Sequence, residues 1–358
     1  MQNNYGYNGN GYYNGYNGYN GYNGYGYNRG PAFPFNNGNY LEKKQQRRNI
    51  AAVSMACGLS IVAFTLLSGL IGVIMRAVPS VYNEYMNNAD FENSMYIALM
   101  LVTLFLPFYV SYRILKKKSL ASDLPLGRPY DKKEFFMMIP VTLMFCIMGS
   151  IFTGLFAEFF DTAFGVEFTM PEESTEYSSL LSIVIALVST AVIPAIVEEF
   201  CIRGVVMQSL RRYGDAFAVI ASAAVFGILH GNMIQIPFAF IAGLAIGYAV
   251  IRTGTMWTGV IVHFLNNGMA VAVSAIEENA GENAATVFSA VWSVTVFALG
   301  IISVIFMMKN NSKPFYCFTK GEGCLLNASE KASAFAFTIP TIAAFIVLCI
   351  ETAMFINT

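Results

Sequence analysis

Charge is what this chain has least of. Only 12% of its 358 residues are Asp, Glu, Lys or Arg, about half the share of an ordinary soluble domain. That excludes a protein whose surface mostly faces water. The 21 basic and 22 acidic residues nearly cancel, leaving a net charge of -1, so no basic excess marks nucleic acid as a partner. Histidine is scarcer still, with His230 and His263 alone in the whole chain. The six cysteines, Cys57, Cys146, Cys201, Cys317, Cys324 and Cys349, form no disulfide framework, because four of them lie in or beside apolar runs where thiols pack. Cys317 and Cys324 share a loop, but their spacing, with no histidine nearby, is not that of a zinc site. The N-terminus lacks the layout of a signal peptide.

Apolar residues are abundant, at 56%, and they fall in runs. A helix needs roughly 20 such residues to cross the hydrocarbon core. The runs predict crossings at about 50 to 76, 94 to 114, 134 to 157, 179 to 198, 216 to 231, 234 to 252, 255 to 276, 284 to 308 and 335 to 355. The fold class that follows is an all-α, polytopic transmembrane helix bundle of eight or nine spans. The segments 216 to 231 and 234 to 252 are short for a crossing and are joined by little more than Gly231, Asn232 and Met233, which predicts a tight helical hairpin. Gly243 and Gly247 form a small-x-x-x-small pair that lets helix backbones approach closely.

The first 40 residues are of another kind. Tandem Tyr-Asn-Gly triplets run from Tyr13 to Gly24, too poor in aliphatic side chains to bury a core, so a disordered cytoplasmic tail is expected at 1–40. The remainder divides into N-terminal membrane helices at 41–178, a core at 179–276 and C-terminal helices at 277–358. Lys and Arg favour the cytoplasmic side. Lys43, Lys44, Arg47 and Arg48 precede the first span, and Lys116, Lys117, Lys118, Lys132, Lys133, Arg211, Arg212, Arg252, Lys309 and Lys313 fall in the loops that alternation places on the same side. Glu84, Asp90, Glu92, Glu158, Asp161, Glu167, Glu172, Glu173, Glu176, Glu277, Glu278 and Glu282 fall opposite. The expectation is a multi-pass protein of the cell membrane with its N-terminus in the cytoplasm and the lipid bilayer as its constant partner.

The informative polar residues lie inside the apolar runs. The stretch from Ala191 to Gly204 holds Glu198, Glu199 and Arg203, and ionisable groups within a bilayer are costly and usually functional. On a helix Glu199 and Arg203 stand at i and i+4 and can pair, whereas Glu198 is turned about 100° away and stays available. The alternative is that these are charges snorkelling at a cytoplasmic helix end. Pro194, four residues before Glu198, removes a backbone hydrogen bond and tends to kink the helix. Both histidines fall within predicted spans. Either could satisfy only a neighbouring carbonyl, but two histidines together with two glutamates favour a site. His263 and Asn267 share one face at i and i+4, as do Phe226 and His230. Hydrolysis of a buried peptide bond needs an activated water and donors for the oxyanion, and a carboxylate, two imidazoles and an amide supply both. A proton-relay transporter would instead show repeated halves with paired broken helices; no internal repeat is evident, and the ionisable residues within the spans are read as one central block.

These residues stand as Glu198-Glu199-x-x-x-Arg203, Phe226-x-x-x-His230 and His263-x-x-x-Asn267. In that order they resemble the CPBP family of intramembrane proteases, which includes CAAX prenyl endopeptidases and bacteriocin-processing or immunity (Abi-type) proteins. The resemblance covers 179–276. It implies an all-helical core with a conical cavity, in which Glu198 and His230 activate water, His263 and Asn267 stabilise the oxyanion, and Glu199 and Arg203 brace the site with Phe226. It implies a hydrolase acting on a membrane-associated protein or peptide, or an immunity or binding protein of the same fold without turnover. The family is often labelled a metalloprotease. A zinc ion would take Glu198, His230 and His263 as ligands, but no His-Glu-x-x-His pair is present and an amide is a poor zinc ligand, so a metal-free glutamate mechanism is preferred over a divalent metal.

Overall fold

The computed structural model describes residues 37–170, 177–310 and 318–357. The Tyr-Asn-Gly repeats, together with Glu172, Glu173, Glu176, Lys313 and Cys317, lie outside the described residues. The chain from Gly38 onward is one compact unit. Its helices are α1 (Asn37–Arg76), α2 (Pro79–Asn87), α3 (Ala89–Lys117), α4 (Lys132–Phe164), α5 (Leu180–Tyr213), α6 (Asp215–Ile228), α7 (Gln235–Thr253), α8 (Trp257–Ala280), α9 (Glu282–Lys309), α10 (Ala328–Ala336) and α11 (Ile339–Ala353). Two short strands, β1 (Glu167–Phe168) and β2 (Ile356–Asn357), pair antiparallel and tie the C-terminal segment to the end of α4. The molecule is an all-α, multi-pass bundle.

Among the described residues seven helices are long and apolar enough to cross a membrane, and the pair α10 and α11, bent by 72°, makes an eighth if it is one broken span. The expected crossing at 216 to 231 is not among them. Helix α6 has 14 residues, about 21 Å at 1.5 Å per residue, against roughly 30 Å of hydrocarbon. It does form the expected hairpin. A Cβ on Gly243 would stand 3.1 Å from Ala223, and one on Gly247 would stand 3.2 Å from Val219, so both glycines seat α7 directly on α6. The expected end of the fourth span at 198 is also corrected, because α5 continues to Tyr213 and carries Arg203 in its middle.

Prolines explain where these helices depart from regularity. Helix α3 passes through a π segment at Met100–Phe105 just before Pro107, and α5 through one at Val188–Val192 just before Pro194. A proline has no N–H for the carbonyl four residues back and its ring collides with that carbonyl; a wider π turn relieves the collision. The expected kink at Pro194 is thus taken up as a π segment. A second one covers Phe200–Met207 and contains Arg203.

The basic segments gather at one end of the bundle. Arg47 pairs with Glu330, Arg252 Nη2 donates to Glu134 Oε1 (2.7 Å), Arg212 Nη1 to the Ser119 carbonyl (3.0 Å) and Lys331 Nζ to the Tyr213 carbonyl (2.5 Å). Asp215, at the start of α6, takes Arg211 Nε (2.8 Å) and both the N–H and hydroxyl of Thr319 (3.0 and 2.7 Å). Burial alone raises its pKa, but these donors outweigh it and hold the carboxyl below the usual range. Acidic loops meet at the other end, where Glu278 Oε2 accepts the Tyr177 N–H (2.8 Å) and Asp90 Oδ2 the Ser182 hydroxyl (3.1 Å).

Candidate active site

Helix α5 contributes the carboxylates. Glu199 and Arg203 are completely buried, and Arg203 Nη1 donates to Glu199 Oε1 at 2.7 Å. The reading of these groups as charges at a cytoplasmic helix end does not hold, because neither touches solvent. Arg203 Nη2 also reaches the Gly243 carbonyl of α7 at 3.4 Å. Its guanidinium lies over the Phe226 ring at 4.5 Å, a cation–π contact strengthened by exclusion of water.

Helix α8 brings His263 to the same carboxylate. Its Nδ1 donates to Glu199 Oε1 at 3.1 Å, and its Nε2 stands 3.8 Å from Glu198 Oε2. The second distance is too long for a hydrogen bond. Glu198, with 14% of its side chain exposed, therefore has one buried oxygen without a hydrogen-bond partner, and so has Glu199 at Oε2.

Helix α6 supplies Phe226, and the turn that follows its end at Ile228 supplies His230, so the expected shared helix face is replaced by a helix and the turn after it. The Phe226 ring meets His230 edge-on at 4.9 Å and His263 edge-on at 5.8 Å. Phe226 thus touches Arg203, His230 and His263 together and walls them from the bundle core. His230 Nδ1 lies 2.8 Å from the Phe226 carbonyl. A carbonyl only accepts, so Nδ1 donates to it, and in the neutral imidazole Nε2 is the acceptor. Satisfying a backbone carbonyl and serving a site are here compatible.

Asn267 follows His263 by one turn and goes elsewhere. Its Nδ2 donates to the Thr190 carbonyl at 3.1 Å, while its Oδ1 accepts from Asn266 (3.2 Å). Thr190 is the residue four before Pro194, so its carbonyl is the one the proline cannot serve. The Thr190 region is anchored in turn, with the fully buried Ser189 donating to Asn93 Oδ1 of α3 at 2.6 Å.

Two members of this arrangement were not read from the sequence. A Cβ on Gly259 would fall 2.6 Å from Glu199 Oε2, so only glycine lets α8 close on that carboxylate. Its position one turn before His263 is the signal that could have found it. Glu351 is the other. It lies in α11, outside the central block expected to hold all ionisable residues of the spans, and its carboxyl carbon stands 3.2 Å from the place a Cβ on Gly231 would occupy.

Zinc does not fit. Among the described residues no three His, Cys, Asp or Glu side chains stand together closely enough to hold a metal ion, so Glu198, His230 and His263 are not arranged as a ligand set.

What fold and site define is a multi-pass helical membrane protein with a buried carboxylate–imidazole centre. Residues 180–269, about a quarter of the chain, match the family model described as Rce1-like, type II CAAX prenyl endopeptidase. This segment holds all three motifs, and its match to the CAAX protease family model agrees with the resemblance drawn from them. Neither the comparison with curated proteins nor that with solved structures gave a match.

Proposed function

We propose that this protein is an intramembrane endopeptidase that cleaves a membrane-associated protein or peptide with water activated by Glu198 and His230. The observation that carries this is the division of labour between adjacent glutamates. Glu199 Oε1 is engaged by Arg203 and His263, whereas among the described residues no hydrogen bond engages Glu198, whose Oε2 lies 3.8 Å from His263 Nε2.

Glu198 and the unprotonated Nε2 of His230 take the proton as water attacks the scissile carbonyl, and return it to the leaving amine. His263, held at Nδ1 by Glu199, presents Nε2 to the oxyanion when that atom carries a proton. Asn267 has two N–H groups and gives one to Thr190, so the other remains for the oxyanion. Glu199, Arg203 and Phe226 fix the orientation of His263. In this reading 179–276 is the catalytic core, 41–178 and 277–358 are its helical surround, and 1–40 is a cytoplasmic tail. The basic end of the bundle faces the cytoplasm, following the bias of Lys and Arg toward that side.

Comparing the N-termini of membrane peptides from cells carrying wild type, Glu198→Ala and His230→Ala tests the proposal. Loss of a shared set of N-termini in both variants is expected, with purified enzyme slowed roughly 100-fold or more, the scale of general acid–base catalysis, and insensitive to chelators. Identical N-termini in all three strains would sink the proteolytic reading and favour an immunity or binding role on the same fold.

A further inference from the structure

Helix α11 places one ionisable side chain against the turn that carries His230. Ala344, Leu348 and Thr352 are its buried residues, and Ala344 and Leu348 belong to the same apolar cluster as Val225, Phe226 and Val262. Glu351, three residues after Leu348, is on this inward side and half-buried. Its carboxylate rests on Gly231, the residue after His230, with Oε1 3.4 Å from the position of an added Cβ. Gly231 has φ +65°, so both its conformation and the space above it demand glycine.

The carboxylate is held there but not used by the chain. The end of α11 is pinned through β2 on β1 and through the Thr169 N–H, which donates to the Phe355 carbonyl at 2.9 Å. The turn beneath it is satisfied internally, since Asn232 Nδ2 donates to the His230 carbonyl (3.1 Å) and Gln235 Oε1 (2.7 Å), and Asn232 Oδ1 accepts the Gln235 N–H (2.8 Å). Among the described residues no hydrogen bond or ion pair engages the Glu351 carboxylate. A carboxylate in a membrane helix is costly without a cation, and this one rests on the residue that follows His230.

We infer that Glu351 is a specificity-determining residue that binds a lysine or arginine side chain of the substrate beside the scissile bond. The inference rests on the proteolytic reading above. It places the recognition group in the last helix, outside the segment that carries the chemistry, so substrate preference and catalysis can be altered separately.

The test profiles new N-termini in membranes from cells expressing the full chain as wild type, Glu351→Gln, Glu351→Lys and Glu198→Ala. Sites lost in Glu198→Ala define the cleavage events. Wild-type sites are expected to be enriched in Lys or Arg at one position near the bond. Glu351→Gln, nearly isosteric, should lower cleavage of those sites roughly tenfold, the scale of one lost charge contact, and Glu351→Lys should shift the enrichment to Asp or Glu. Thermal unfolding of purified Glu351→Gln at the wild-type temperature shows that the fold is intact. The same residue preferences in wild type, Glu351→Gln and Glu351→Lys overturn the inference while leaving proteolysis standing. Absence of any Glu198-dependent site removes both.

Discussion

Helices α5 and α9 are both long apolar membrane helices, yet they are built in opposite ways. Helix α9 runs from Glu282 to Lys309 with its only charges at those two ends, no proline and no π segment. Helix α5 contains two π segments and carries Glu198, Glu199 and Arg203 within its length. Of their most apolar stretches, 39% is buried in α5 and 17% in α9. A helix facing lipid needs only length and hydrophobicity. One surrounded by other helices can hold charges and irregular backbone, because neighbours supply the missing partners.

The contrast can be broken most decisively at Arg203. Arg203→Ala leaves Glu199 buried against His263 alone, and thermal unfolding in detergent should show a loss of about 3–5 kcal/mol. A loss under about 1 kcal/mol would mean that the pair contributes little to the fold. Gly259→Ala comes next, because its new Cβ meets Glu199 Oε2 and forces α8 away from α5. Overpacking of this kind costs roughly 1–3 kcal/mol, and His263 moves with α8, so proteolysis should fall along with the unfolding temperature.

Asp215→Asn tests the polar end of α6. The variant should be destabilised by about 1 kcal/mol or more at neutral pH, where a buried acceptor of charged donors is lost. Since the folded Asp215 carboxyl titrates below its ordinary value, its contribution is in force above about pH 4, its unfolded range, and fades as pH falls through the lower folded value. The unfolding temperatures of variant and wild type should converge in acid. Val294→Ala on the lipid face of α9 is the smallest case, within about 0.5 kcal/mol. A larger effect would show that α9 has a partner surface.

Some membrane helices were legible in the sequence to within a few residues, as with 284 to 308 against Glu282–Lys309 and 234 to 252 against Gln235–Thr253, whereas others run well past their expected ends, as with 179 to 198 against Leu180–Tyr213. Pairing of Glu199 with Arg203 followed from i, i+4 spacing, and the hairpin of α6 and α7 followed from its short joint and paired glycines. The length of α6 was misjudged because an apolar run continues through Leu229 and His230 after the helix has stopped. The end of α5 was misjudged because charged residues in a run read as a helix end until their partners are known. Glu351 escaped notice for the same reason, as one acid near the end of the last span looks like an interfacial charge.

The sequence by itself determined the solvent, most of the helices and the three motifs, since each depends on runs and spacings within a single segment. Only the tertiary structure decided which glutamate is hydrogen-bonded by Arg203 and His263, that Phe226 joins Arg203 to both histidines, that Asn267 serves the carbonyl Pro194 leaves open, and that Glu351 rests on Gly231. Those are contacts between helices far apart in the chain, set by which small residues allow close approach and which buried polar atoms must find partners. Neither condition is written in the spacing of any one segment.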